Sequence, residues 1–101
     1  MIRPHIPIPS DSVAAFCRKH HIKQLALFGS VLRDDFRSDS DVDVLVEFEP
    51  GHVPGFAFAG MATELSQLLG RRVDLQTPQF LSRYFRNDVL AEAQVQYVQA
   101  G

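Results

Sequence analysis

Two aspartates, Asp41 and Asp43, open the run Asp41-Val42-Asp43-Val44-Leu45-Val46-Glu47-Phe48. On an extended strand, alternate side chains leave the same face, so this spacing sets the two carboxylates side by side. Val42, Val44, Val46 and Phe48 then leave the opposite face as an apolar stripe that fixes the register. Two like charges held this close repel unless a cation lies between them. Upstream, the apolar run Leu25-Ala26-Leu27-Phe28 ends in Gly29-Ser30. That pair offers backbone N–H groups and a hydroxyl at a strand end, where a phosphate can be approached closely. Residues 31–40 connect the two runs. The pattern reads as a metal–triphosphate site.

A third carboxylate, Asp74, interrupts the otherwise apolar Val73-Asp74-Leu75. If that strand lies beside the one carrying Asp43, Asp74 joins the same face. Three carboxylates at one edge suit two Mg²⁺ ions, which prefer oxygen ligands. Two such ions about 3.5–4 Å apart can hold a triphosphate and activate an attacking hydroxyl, with Asp74 helping as base. Plainer readings compete with this one. An Asp-x-Asp alone is usually a solvated turn with capping carboxylates. A calcium loop counted from Asp39 fails, because Val44 stands where glycine is needed and Pro50 where a bidentate glutamate is needed. A P-loop fails too, since no lysine follows Gly29-Ser30 at the required place.

The elements around these residues follow from periodicity and punctuation. Residues 1–9 carry prolines at 4, 7 and 9 and form an extended arm. Ser10 is the expected N-cap, with Asp11 in the first turn of a helix running to about His21. Val13, Phe16, Cys17 and His20 give that helix its buried stripe. Residues 25–29 form a first strand. Residues 31–40 are too polar for core and hold one short helical turn around Val31–Asp34. Residues 42–48 form the second strand and 50–55 a loop. Phe58, Met61, Ala62, Leu65, Leu68 and Leu69 mark a helix over 56–69, closed by Gly70. Residues 72–76 form a third strand, and residues 80–93 a last helix with Leu81, Tyr84, Phe85 and Val89 on one side. Residues 95–98 alternate as an edge strand. The class is α/β (α+β): a small mixed sheet covered by helices, in one domain over residues 1–101.

Composition narrows the function. The net charge is −2 and no basic stripe is visible, which argues against direct nucleic-acid binding. Arg71, Arg72, Arg83 and Arg86 still permit a local anionic contact. No window reaches the roughly eighteen apolar residues of a membrane helix, and the proline-broken N-terminus has no secretory apolar run. A cytoplasmic protein is the simplest reading. Cys17, the single cysteine, excludes an internal disulfide and is expected to be a buried, inert thiol. His20 and His21 point about 100° apart on a helix and cannot both reach one ion.

Gly29-Ser30, the ten-residue spacing and Asp41-Val42-Asp43 resemble the motif of the DNA polymerase β-like nucleotidyltransferase superfamily. With Phe28, Arg33, Ser40 and the Arg72-Val73-Asp74-Leu75 strand, the sequence is similar to the minimal (MNT) branch over nearly its whole length. The resemblance implies a nucleotidyltransferase fold, with Mg²⁺ (two ions) on Asp41, Asp43 and Asp74 and ATP as nucleotide donor. It places the nucleotide at Gly29, Ser30, Arg33 and Ser40. It further implies an antitoxin that transfers AMP to a tyrosine hydroxyl of a helical HEPN ribonuclease toxin. Two positions depart from the pattern: Asp34 stands where glycine is usual, and Val31 where a basic residue is frequent. Added negative charge near a triphosphate weakens binding unless Arg33 or Arg37 offsets it. The alternatives are an antitoxin that neutralises by binding alone, using an apolar tail of Phe80, Tyr84, Phe85 and Tyr97, and a small-molecule nucleotidyltransferase that lacks room for its acceptor domain.

Overall fold

The computed structural model describes residues 6–34, 36–37, 39–52, 54–78, 81 and 83–99, excepting the side chains of residues 83 and 85. In chain order these form α1 (Ser10–Lys19), β1 (Ile22–Phe28), a 3₁₀ turn (Gly29–Leu32), β2 (Val42–Phe48), α2 (Ala57–Leu69), β3 (Val73–Gln76), α3 (Arg83–Glu92) and β4 (Gln94–Val98). The sheet runs β3-β2-β1-β4. The β1–β2 and β1–β4 pairs are antiparallel, whereas β2 and β3 are parallel. A parallel pair needs a crossover, and α2 supplies it.

Alternation on β2 decides which way the site faces. Val42, Val44 and Val46 are each 0% exposed and pack with Leu25, Leu27, Val73 and Leu75. Val13, Phe16 and Cys17 from α1 and Met61 and Leu65 from α2 complete this core. Asp43 and Leu45 therefore leave the other face. Leu45 is buried as well, alongside Ala26 and Phe28 of β1, so both faces at the centre of the sheet are covered. Each core valine or leucine buried this way contributes about 1.5–3 kcal/mol by leaving water.

The sequence expectation holds for β2, for the course of α2 and for β4 at an edge. Gly70 ends α2 in the left-handed conformation, φ 69°, where a side chain would be strained. Other boundaries differ. Pro9, not Ser10, takes the N-cap position of α1, and Ser10 is already helical with no side-chain cap bond. β1 begins at Ile22 rather than Leu25, because Lys23 and Gln24 hide a strand start that includes a register irregularity. Val31 and Leu32 are buried in the core, so the 31–40 connection is not wholly polar surface.

His20 is half-buried rather than core, with its ring nitrogen 3.1 Å from a Glu64 oxygen. Residues 1–5 of the expected arm, and Phe80 at the expected start of the last helix, lie outside the described residues. Cys17 is fully buried, and that burial pushes its thiol up to about 12. No described helix is long and apolar enough to cross a membrane.

Candidate active site

One end of the sheet gathers the polar residues singled out above. β1 ends there at Phe28, which pairs with Asp43 at the opening of β2. Asp43 pairs on its other side with Asp74. The parallel β2–β3 register thus joins the third carboxylate to the second, as the sequence requires for one site. Asp41 lies two residues upstream on the same alternation.

Gly29 is fixed by two independent demands. Its φ of 77° lies in the left-handed region, and a Cβ placed there would run into the Asp43 carboxylate oxygen Oδ2. Glycine lets the backbone turn sharply off β1 while its Cα rests against the carboxylate. The 3₁₀ turn then closes with the Arg33 N–H donating to the Ser30 carbonyl at 2.9 Å.

Asp43 is half-buried in this crowd, and its carboxyl is pushed up to about 6. Burial is the largest cause, followed by the charges of Asp74 and Asp41; Arg33 opposes and Glu92 adds to the repulsion. Nearby groups hold the other carboxylates. Arg72 Nε donates to Asp41 Oδ1 at 2.6 Å, and Gln76 Nε2 donates to Asp74 Oδ1 at 3.0 Å. The Arg71 guanidinium ties down the backbone at Arg37 and Ser40, ahead of Asp41. It donates to the carbonyls of Arg37 (2.7 Å) and Ser40 (3.2 Å) and sits 4.6 Å over the Phe36 ring. The Ser40 hydroxyl oxygen accepts the Arg37 N–H at 3.0 Å, so Ser40 is turned into its own loop.

Residues 11–96 match the nucleotidyltransferase-domain family. The chain belongs to that family. It is 38% identical over 72 residues to the protein adenylyltransferase MntA of Thermococcus cleftensis, covering 70% of this chain and 71% of the relative. A Methanocaldococcus jannaschii protein provisionally named for the same activity, MJ1379, is also 38% identical, over 76% of this chain and 71% of its own. Among solved structures, a toxin–antitoxin complex with AMP-PNP superimposes with a TM-score of 0.74 at 19% identity, covering 91% of this chain and 75% of that one. A complex of tri-AMPylated Shewanella oneidensis HEPN toxin with its MNT antitoxin gives 0.66 at 20% identity, over 89% and 70%. At these identities the two structures speak to the fold.

In this nucleotidyltransferase the sequence-singled residues Gly29, Asp41, Asp43 and Asp74 come together at one sheet end. Ser30 and Arg33 flank them on the turn, and Ser40 stands behind Asp41 in the loop. Among the described residues, no three His, Cys, Asp or Glu side chains are gathered closely enough to hold a metal ion. Asp41 spends its carboxylate on Arg72 instead. One residue escaped the sequence reading altogether. Glu92, the last residue of α3, accepts the Gly29 N–H at 3.2 Å and pairs with Arg33 Nη2 at 3.1 Å. Only the pairing of β4 with β1 could have revealed it, since Leu27 faces Gln94 and that brings Glu92 beside Gly29.

Proposed function

We propose that this nucleotidyltransferase is an antitoxin that transfers AMP from ATP to a tyrosine hydroxyl of a HEPN-type ribonuclease partner. One observation carries the reading: the register that sets Asp74 beside Asp43, with Asp41 on the same alternation and Gly29 pressed against the Asp43 carboxylate. The relatives' name, protein adenylyltransferase, supports AMP transfer to a protein, and the HEPN toxin in a similar solved complex supports the partner class.

By its chemistry, though not by its spacing in the ligand-free chain, the donor set suits Mg²⁺. It consists of carboxylate oxygens, the ligands that ion prefers, and after burial the charges of Asp74 and Asp41 are what raise Asp43. Asp41, Asp43 and Asp74 would hold it, Asp41 exchanging Arg72 for the ion. When bound, such ions offset charge on the departing pyrophosphate and ease loss of the acceptor proton.

The chain's own residues account for the rest. Gly29 and Ser30 present the turn to the phosphates, and Arg33 adds positive charge. Ser40 and Arg71 hold the loop that presents Asp41. The acceptor oxygen attacks the α-phosphorus, the bond to the bridging oxygen breaks, and pyrophosphate leaves. The acceptor proton passes to Asp74, which is exposed on the same edge. In this reading residues 1–101 act as one domain, and the partner supplies the acceptor.

Intact-mass spectrometry of the partner, co-expressed with this chain or with its Asp41→Asn/Asp43→Asn variant, tests it. Added AMP units that vanish with the variant are the expected result; an unmodified partner in both samples sinks the proposal. A second reading, neutralisation by binding alone, is favoured by the Asp41–Arg72 and Glu92–Arg33 pairs, which engage the site's charges internally. Full protection of cells by the double variant would select it.

A further inference from the structure

We propose that Glu92 is an internal competitor for the nucleotide: its carboxylate occupies the anion seat formed by the Gly29 N–H and the Arg33 guanidinium, and a triphosphate must displace it to bind. The inference rests on the nucleotidyltransferase reading above and adds a residue that the Gly-Ser/Asp-x-Asp pattern does not contain.

Three observations lead there. Both oxygens of Glu92 are engaged, Oε1 by the Gly29 N–H (3.2 Å) and Arg33 Nη2 (3.1 Å), and Oε2 by Arg33 Nη2 (3.2 Å). A backbone N–H at a glycine turn together with a guanidinium is the donor set a phosphate oxygen takes. A carboxylate there has the same charge sign and similar acceptor geometry, so the two anions exclude each other.

The second observation is where Glu92 sits on its own element. It is the last residue of α3, whose last turn holds no basic side chain, and a carboxylate at a helix C-terminus opposes the macrodipole. Local preference would put lysine or arginine there. The third is the electrostatic neighbourhood: through Gly29, which rests against the Asp43 carboxylate, Glu92 stands as a further acid beside the Asp43–Asp74 pair. Local preference and local charge both disfavour this carboxylate, and its bonds to Gly29 and Arg33 are what hold it in place.

The contact is also built to yield. Arg33 and Glu92 are more than one-third exposed, with side-chain exposures of 56% and 39%, and ion pairs of that exposure are weak. A triphosphate carrying several charges can replace such a pair, whereas a stray monovalent anion competes poorly. Glu92 thereby favours polyphosphate over single anions at the seat.

The test measures binding of AMP-PNP in Mg²⁺ by calorimetry to the wild-type chain, Glu92→Gln and Glu92→Ala, with circular dichroism confirming that each is folded. Glu92→Asp serves as a second, conservative variant, since it keeps the charge one methylene short of the seat. We expect the Kd to fall at least fivefold in Glu92→Gln and Glu92→Ala. The Gly29 amide resonance of the free wild-type chain should also move on substitution and on nucleotide addition. Wild-type binding with unchanged or weaker binding by the folded variants overturns the competitor role and leaves the nucleotidyltransferase reading standing. No AMP-PNP binding by any of the four proteins overturns both.

Discussion

The two ends of the β1–β2 pair carry acids in opposite circumstances. At the Ile22–Phe48 end, Glu49 accepts a 2.8 Å hydrogen bond from Gln99 and lies 3.4 Å from His21 Nδ1. The His21 ring stacks on His52 with centroids 4.0 Å apart. The Gln99 bond, with His21 behind it, holds Glu49 below the usual carboxylate range. At the Phe28–Asp43 end, burial and then the facing charges of Asp74 and Asp41 push Asp43 up to about 6. One sheet thus has an end whose charges satisfy the fold and an end whose charges work against it. Unfavourable electrostatics kept in a folded chain point to a ligand that relieves them.

The comparison can be broken by removing the repulsive end. Asp43→Asn should lower the AMP-transfer rate by on the order of 10³-fold, the equivalent of several kcal/mol of lost transition-state stabilisation. The same substitution should raise the thermal midpoint of the ligand-free chain. A variant that loses both activity and stability would mean that Asp43 is a structural residue after all. Gly29→Ala attacks the backbone beneath it. The φ of 77° and the overlap with Asp43 should together cost about 2–4 kcal/mol in urea unfolding. Wild-type stability for that variant would rule out the close approach.

A pH series sharpens the contrast. Asp43 titrates at about 6 when folded against 3.8 when unfolded, so between those values the folded chain binds more protons. Its contribution to stability is then largest at acid pH and is lost as pH rises through about 6. Glu49, lowered below its ordinary 4.5, acts oppositely: its contribution is present above that value and lost as pH falls. Urea midpoints of wild type and Asp43→Asn should therefore diverge as pH climbs from 4 to 6. Parallel curves would show that Asp43 is not raised in the folded chain. The smallest effect is expected from Glu49→Gln, a slight fall in thermal midpoint with the transfer rate unchanged.

How much of this was legible follows the range of the interactions. β2 was readable to the residue because Val42, Val44, Val46 and Phe48 alternate without interruption. Asp74 was readable because Val73 and Leu75 turn inward and leave the carboxylate between them on the open face, where the Asp-x-Asp strand also puts its acids. Glu92 carries no such local mark. Its role depends on β4 returning beside β1, a contact 63 residues away in sequence. Ser40 resembled a phosphate contact by position, yet its hydroxyl closes a turn whose geometry depends on Arg37 and Arg71. Val31 and Leu32 were masked by polar neighbours, and burial in a 3₁₀ turn follows no period that a short window reveals.

The parallel pairing of β2 with β3 has a kinetic consequence. Asp41 and Arg72, 31 residues apart, meet only after α2 has carried the chain back across the sheet. Loop closure over such a span is slow compared with the β1–β2 hairpin. The third carboxylate is therefore expected to join the other two after the central strands have paired, an order that pulse-labelled hydrogen exchange would check. A chain that has made only its central hairpin has two of the three carboxylates and no third. Fraying of β3 would dismantle the site while leaving β1 and β2 protected from hydrogen exchange, so activity should be lost before the fold is.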